Sequence, residues 1–295
     1  MVLKWSGGTF FRRLSRRWDR VVGIDIAREA ITVAVPVLHQ DSLVTGVFVH
    51  VFPGRGEGST RVSEGAALLR GVLPRNIRRC AIGLDSSEIL LLPLVTSCRA
   101  DRCAEDGGSE KQDLLPFDSY GYLTRVLDPE ARYILAIKNS RVRRYRSIAR
   151  GAGLDVDVLT PRSFSIGMGL EALGVFARDR KGSLVELATN AVHISLYSDG
   201  LPFEMSTWSD LSADGVVQHL ISCIEGITFA GMPCGVLGGT EELRSRFRRS
   251  IEAASSIRCI DVDAVMKSRV LGTAGISKRS FGTGVLSSFG LCCME

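Results

Sequence analysis

No apolar run in this sequence reaches the roughly 18 to 20 residues that span a bilayer, which excludes a helical membrane crossing. The N-terminus lacks an apolar core followed by a small-residue cleavage site, so the pattern of a secretory signal is missing too. Paired CxxC motifs are absent: Cys98 and Cys103 are separated by four residues, and Cys292 and Cys293 are adjacent. Neither spacing is that of a zinc ribbon, so no metal is expected. The eight cysteines are expected as reduced thiols of a cytoplasmic protein. Only four histidines are present, and no nucleophile–base–acid set can be assembled from them. Strong net charge is lacking as well, since 37 Lys and Arg against 32 Asp and Glu leave only +5.

What is there is ordinary for a folded chain: 295 residues, 45% hydrophobic and 23% charged, enough for one composite domain or two compact ones. The excess positive charge gathers at the start. Residues 1–20 form a basic amphipathic arm in which Phe10, Phe11, Leu14 and Trp18 recur at helical spacing, with Arg13, Arg16, Arg17 and Arg20 between them. This pattern suits a short helix lying on an anionic membrane surface, and equally a solvated terminal arm. No stacking aromatics or recognised module accompany the charges, so nucleic acid is not expected as a partner.

From residue 21 the chain reads as α/β. Apolar alternation predicts strands at Val21–Ile26, Ile31–Val37, Leu43–Phe52, Cys80–Leu84, Ile89–Leu92, Tyr133–Ile137, Leu184–Leu187, Val192–Tyr197 and Val236–Leu237. Helical spacing predicts helices at Ser63–Leu73, Ser140–Gly151, Arg162–Leu173, Ser212–Ile224 and Glu241–Ala254. Ser140 is a candidate N-cap, and Gly151 or Gly153 a left-handed stop before the next strand. The polar stretch 97–113 reads as a loop.

Two strand–turn–strand units stand out: "VVGIDIAREAITVAV" at 21–35 and "SLVELATNAVHISLYSDGLPFEMS" at 183–206, followed by the Gly-Gly turn in "GVLGGTEEL". Opposed units of this kind resemble the plan of the actin-like ATPases, in which two turns grip phosphates and the Gly-Gly turn contacts adenosine. Within that superfamily the chain resembles the type IV pilus assembly protein PilM family from about Val21 to Leu291. The pieces are "VVGIDIAREAITVAV", "CAIGLDSSEILLLPL", "LLPFDSYGYLTRVL", "YILAIKNSRVRRYRSIARGAGLDVDVLTPRSFSIGMGLEAL" and "SFGTGVLSSFGL", in the family's order. The resemblance implies an actin-like fold of two RNase H-like cores. Core subdomain 1A takes 21–75 and 163–183, an inserted subdomain like that of PilM and FtsA takes 76–162, and the second core takes 184–295.

The departures concern the nucleotide site. The family's Asp-Ile-Gly turn is Asp25-Ile26-Ala27 here, followed by Arg28 and Glu29; the second turn has Glu186 and Ala188 where aspartate and glycine are usual. An alanine Cβ in both turns obstructs the close backbone approach that phosphate needs. Gly238, Gly239 and Thr240 survive, although a strand-to-helix turn needs glycine in any case. Only Thr207–Asp214 separate the second unit from the next expected helix, so the family's second-lobe insertion, one wall of the adenine pocket, is expected to be largely absent. Together these disfavour ATP and Mg²⁺ as ligands and point to a pseudo-ATPase with no catalytic residues. His193 is expected on a solvent-facing or locally hydrogen-bonded strand position, and Asp85 in a turn.

The resemblance further implies a cytoplasmic adaptor, peripheral at the inner membrane, of a type IV pilus or type II secretion platform. It would capture the cytoplasmic N-terminal segment of a PilN-like protein, or bind a GspL/GspM-like inner-membrane protein, with the machine's assembly ATPase as a further partner. The implied groove lies near Leu84, Asp85, Ser86, Tyr120, Tyr122 and Phe164. A GspL-like chain would continue into a membrane-spanning helix, whereas this sequence stops at Glu295. Two other classes remain open: a nucleotide-binding actin-like ATPase, and an FtsA-like membrane-anchored polymer protein, which would carry its amphipathic helix at the C-terminus.

Overall fold

The computed structural model describes residues 21–27, 30–38, 44–53, 62–73, 77–84, 89–93, 120–126, 132–176, 181–187, 192–198, 201–208, 215, 218, 234–238, 241–254, 258–274 and 282–294. The first sheet has six strands in the order β14 (Val270–Ala274), β3 (Val44–Pro53), β2 (Ala30–Leu38), β1 (Val21–Ile26), β4 (Arg79–Leu84), β8 (Asp155–Pro161). The second has five, in the order β11 (Leu201–Trp208), β10 (Val192–Ser198), β9 (Lys181–Leu187), β12 (Cys234–Gly238), β13 (Arg258–Asp261). A third, small sheet joins β5 (Ile89–Pro93), β7 (Arg132–Lys138) and β6 (Tyr120–Val126). Each large sheet opens with antiparallel strands and adds parallel ones across β1–β4 and β9–β12.

Both faces of the first sheet are covered, which is why its strands are apolar on both sides. Val22, Ile24 and Ile26 of β1 join Ile31, Val33 and Ile82 in a core under helices α1 (Val62–Val72) and α2 (Asn139–Gly151), which contribute Leu69, Tyr145, Ile148 and Ala149. The alternate positions face α3 (Arg162–Ala172) and α6 (Gly282–Cys292). These two helices bring Ile166, Leu170, Leu286 and Phe289 into one apolar cluster with Ala34 and Val49 of the first sheet and Leu184 and Tyr197 of the second. The α3–α6 layer therefore lies between the large sheets. Its closeness depends on missing side chains: a Cβ on Gly23 would sit 1.9 Å from the Ser288 carbonyl oxygen, and one on Gly290 would sit 1.7 Å from that of Ser165. The remaining helices, α4 (Glu241–Ala254) and the short α5 (Val262–Met266), flank β12 and β13.

Strand pairing redraws the expected subdomain limits. β4, α2 and β8 fall inside the 76–162 span expected as an insertion, yet they pair with β1 or pack on the first sheet's core, whereas among the described residues β5, β7 and β6 form a sheet of their own that reaches this core through Ile137. Likewise β14 pairs with β3, and α6 packs on β1, β2 and β4, so these residues return to the first lobe although they were expected in the second. The helix expected over 212–224 lies largely outside the described residues, as does the polar stretch 97–113. Among the described residues no helix is long and apolar enough to cross a membrane.

Candidate functional site

Asp25 stands near the end of β1, paired in register with Thr32 of β2 and Gly83 of β4, and is 1% exposed. Glu186 stands near the end of β9, beside His193 of β10 and Gly238 of β12, and is 9% exposed. The two expected carboxylates thus end matching strands of the two sheets. Between them lies a residue the sequence reading did not single out. Arg162 opens α3, immediately after Pro161 ends β8, and its side chain is 15% exposed. Its Nε is 3.3 Å from Asp25 Oδ1 and its Nη1 is 3.8 Å from Glu186 Oε1. Its Nη2 donates to Thr283 Oγ1 at 3.1 Å.

Thr283 is placed by the start of α6. Gly282 adopts φ +62°, a conformation that favours glycine, and its N–H donates to Asp263 Oδ1 at 3.3 Å. Asp263 in turn pairs with the buried Arg244, which also lies 3.6 Å from Asp261. The space left around the guanidinium is small. A Cβ on Gly284 would come within 2.8 Å of Thr32 Oγ1 and 3.2 Å of both Arg162 Nη2 and Asp25 Oδ2, and one on Gly238 would meet Thr283 Cγ2 at 2.1 Å. Below this cluster Ser165 and Ser287 share a buried hydrogen bond of 2.7 Å across the α3–α6 contact, and Tyr197 Oη donates to the Ser163 carbonyl at 2.8 Å. Burial, with Glu186 nearby, holds the Tyr197 hydroxyl well above the usual tyrosine range, so it stays a neutral donor.

Of the other expected site residues, Ala27 closes the β1–β2 turn, its N–H donating to the Ala30 carbonyl at 3.0 Å. His193 is half-buried across from Glu186. Leu84 and Phe164, expected to flank a partner groove, are interior side chains instead: Leu84 belongs to the core under α1 and α2, and Phe164 is buried at the start of α3. Alternation in β4 and the α3–α6 packing turn them inward. Tyr120 opens β6 and Tyr122 follows two residues later, on the edge strand of the small sheet. Arg28, Ala188, Gly239, Thr240, Asp85, Ser86 and the arm with Phe10, Phe11, Arg13, Leu14, Arg16, Arg17 and Trp18 lie outside the described residues.

A magnesium nucleotide would need these carboxylates as ligands for the ion or its waters. Both already face one guanidinium, which supplies a cation in place of the metal and makes only directional N–H donors available. As arranged, this residue set does not fit a magnesium ion between Asp25 and Glu186. Among the described residues no cluster of three or more His, Cys, Asp or Glu side chains is arranged to hold a metal.

No protein-family model matches the sequence, and no characterised protein matches it significantly. Solved structures do match in shape. A chain from a PilM–PilN type IV pilus biogenesis complex superposes with a TM-score of 0.66 at 16% identity, over 93% of this chain and 98% of that one. The cytoplasmic domain of EpsL, an inner-membrane component of the type II secretion system of Vibrio cholerae, gives 0.51 at 9% identity, over 92% and 95%. A Bacteroides thetaiotaomicron protein with an actin-like ATPase fold gives 0.50 at 10% identity, over 84% and 94%. At these identities the likeness shows the fold, and the chain has the actin-like ATPase fold.

Proposed function

We propose that this chain is a nucleotide-independent scaffold of an inner-membrane assembly platform of the pilus or type II secretion kind, an actin-like fold that no longer hydrolyses ATP. The observation that carries the reading is Arg162, whose guanidinium joins Asp25 of one sheet to Glu186 of the other in a largely buried cleft. In a working phosphate site those carboxylates must be free to take a hydrated cation and a phosphate between them. Here their charge is balanced internally. The same contact ties the two sheets together, which suits a protein whose task is to present a fixed surface. The Ala27 turn supports the reading, since its Cβ stands in the position where the family's glycine lets phosphate approach.

Likeness to a chain of a PilM–PilN type IV pilus biogenesis complex, and to the EpsL cytoplasmic domain, supports a place in such a platform. The captured partner is the cytoplasmic N-terminal segment of a PilN-like single-span protein, held against the small β5–β7–β6 sheet. Among the described residues β6 is an edge strand, whose main chain would take an extended peptide, with Tyr120 and Tyr122 as its candidate aromatic anchors. In a secretion platform a GspL/GspM-like protein takes the place of the PilN-like partner, the assembly ATPase is a further partner, and the protein is cytoplasmic and peripheral at the inner membrane. The test is titration of the purified chain with peptides covering cytoplasmic N-termini of PilN-like proteins from the same source. Saturable binding is expected, weakened about 5- to 30-fold by Tyr120→Ala or Tyr122→Ala, as loss of an aromatic anchor of 1–2 kcal/mol requires. Absence of binding by every such peptide overturns the partner assignment.

A further inference from the structure

The outermost layer, away from the cleft, presents an unusual helix. α2 buries Tyr145, Ile148 and Ala149 against the first sheet, and its outward side is arginine. Arg143, Arg146 and Arg150 follow at i, i+3 and i+7, so they line one stripe of the helix, and the exposed Lys138 stands just ahead. No acidic residue occurs anywhere in the helix. Arg141 occupies the first turn, where the positive end of the helix dipole disfavours cations, and the stripe sets like charges at neighbouring positions. A helix selected for its own stability would place acids in the first turn and alternate signs along its face.

The surroundings extend this basic face. Arg70 of α1 donates from Nε to the Gly151 carbonyl at the end of α2, and the exposed Arg78 leads into β4. Val21, Arg79 and Asp155 are neighbours in register, so β1, β4 and β8 all start at this edge. Among the described residues two acids lie here, Asp155 and Asp157, and Arg79 takes Asp157 at 2.6 Å. The edge lies at the opposite end of the strands from Asp25.

We propose that the outward face of α2 is a docking surface for anionic lipid headgroups, which holds the first lobe against a membrane with the cleft turned away. Guanidinium groups bind phosphate oxygens in bidentate fashion, which suits phospholipid headgroups better than it suits water. A single convex helix face offers no groove for a peptide. The aromatic of this helix, Tyr145, is buried, so among the described residues the face offers no ring on which a nucleic-acid base could stack. This inference is independent of the partner reading.

The experiment is flotation of the full chain with phosphatidylcholine vesicles, with and without phosphatidylglycerol, at low and high salt. Binding is expected only with the anionic lipid and is expected to fall with salt. Each arginine near such a surface contributes about fivefold, so Arg143→Gln, Arg146→Gln and Arg150→Gln together are expected to lower partitioning about 100-fold. A charge-matched variant on other helices and strands, Arg246→Gln with Arg249→Gln and Arg258→Gln, is expected to lose less than about threefold, because distant charges are screened. Circular dichroism confirms that both variants fold; the single substitutions, each expected at about fivefold, serve if the triple does not. Equal losses from both triples, no loss from the first, or tighter binding to duplex DNA than to the anionic vesicles each overturn the proposal.

Discussion

Replacing Arg162 by glutamine removes the guanidinium and leaves Asp25 and Glu186 facing each other across the cleft. Asp25 is 1% exposed and the Arg162 side chain 15%, so water does little to compensate. Removing one partner of a buried ion pair costs about 3–5 kcal/mol, because the surviving charge stays desolvated. For 295 residues at about 2.1 cal/mol/K each, the unfolding entropy near the midpoint is about 0.6 kcal/mol/K, so the melting temperature should drop by about 5–8 °C. Scanning calorimetry reads this directly. The double variant Arg162→Gln, Asp25→Asn neutralises the stranded carboxylate and should recover most of the loss, a coupling that a merely space-filling arginine would not show. Magnesium chloride should stabilise the single variant, whose carboxylates have lost their internal cation, and leave the wild type unmoved. A loss below about 1 kcal/mol for Arg162→Gln, or a further loss on adding Asp25→Asn, would refute the claim that this arginine balances the cleft.

Gly238→Ala drives a Cβ to 2.1 Å from Thr283 Cγ2 and should cost about 1–3 kcal/mol in urea unfolding, most of it regained when Thr283→Ser removes the obstructing methyl. Gly290→Ala meets backbone, the Ser165 carbonyl oxygen at 1.7 Å, and should cost about 3 kcal/mol or more with no single-site rescue, since α3 and α6 must separate. Burial, with Asp157 and Asp155 adding to it, pushes the Cys80 thiol from its ordinary 9.0 up to about 12. The folded state then keeps a proton that the unfolded state releases, so this contribution is whole below pH 9 and is lost as pH rises toward 12. The slope of stability against pH in that window should be shallower in Cys80→Ala by up to about 1.4 kcal/mol per unit, and Cys80 should resist thiol reagents at neutral pH until the chain unfolds.

Local pattern carried much of the fold. β1 and β2 follow apolar alternation, α1 and α4 follow helical spacing, and Gly153, one of two candidate stops, ends the α2 segment at φ +80°. The start of that helix differs from the expected cap: Lys138 takes the capping position without a side-chain bond, because β7 runs straight into the helix and leaves no loop for Ser140 to close. The strand β6 went unread, since Gly121 and Arg125 dilute its alternation, and β13 has only four residues. The return of β14 and α6 to the first sheet is a long-range pairing to which no local periodicity responds. The site shows the same division. Asp25, Glu186 and Gly238 were legible because they end apolar strands in turn-like contexts. Arg162 and Thr283 were not, because their role exists only where β1, β9, α3 and α6 meet. The available signal was indirect: two carboxylates at the ends of apolar strands, once buried, require a counter-charge from elsewhere in the chain.

The measurement that tests the central claim most directly is titration of the purified protein with labelled ATP and Mg²⁺, following binding and phosphate release together. The account predicts no saturable binding up to millimolar nucleotide and no phosphate release above background. Micromolar binding would mean that Arg162 yields its place to the nucleotide and that Asp25 and Glu186 serve as working ligands; turnover would contradict the scaffold reading outright.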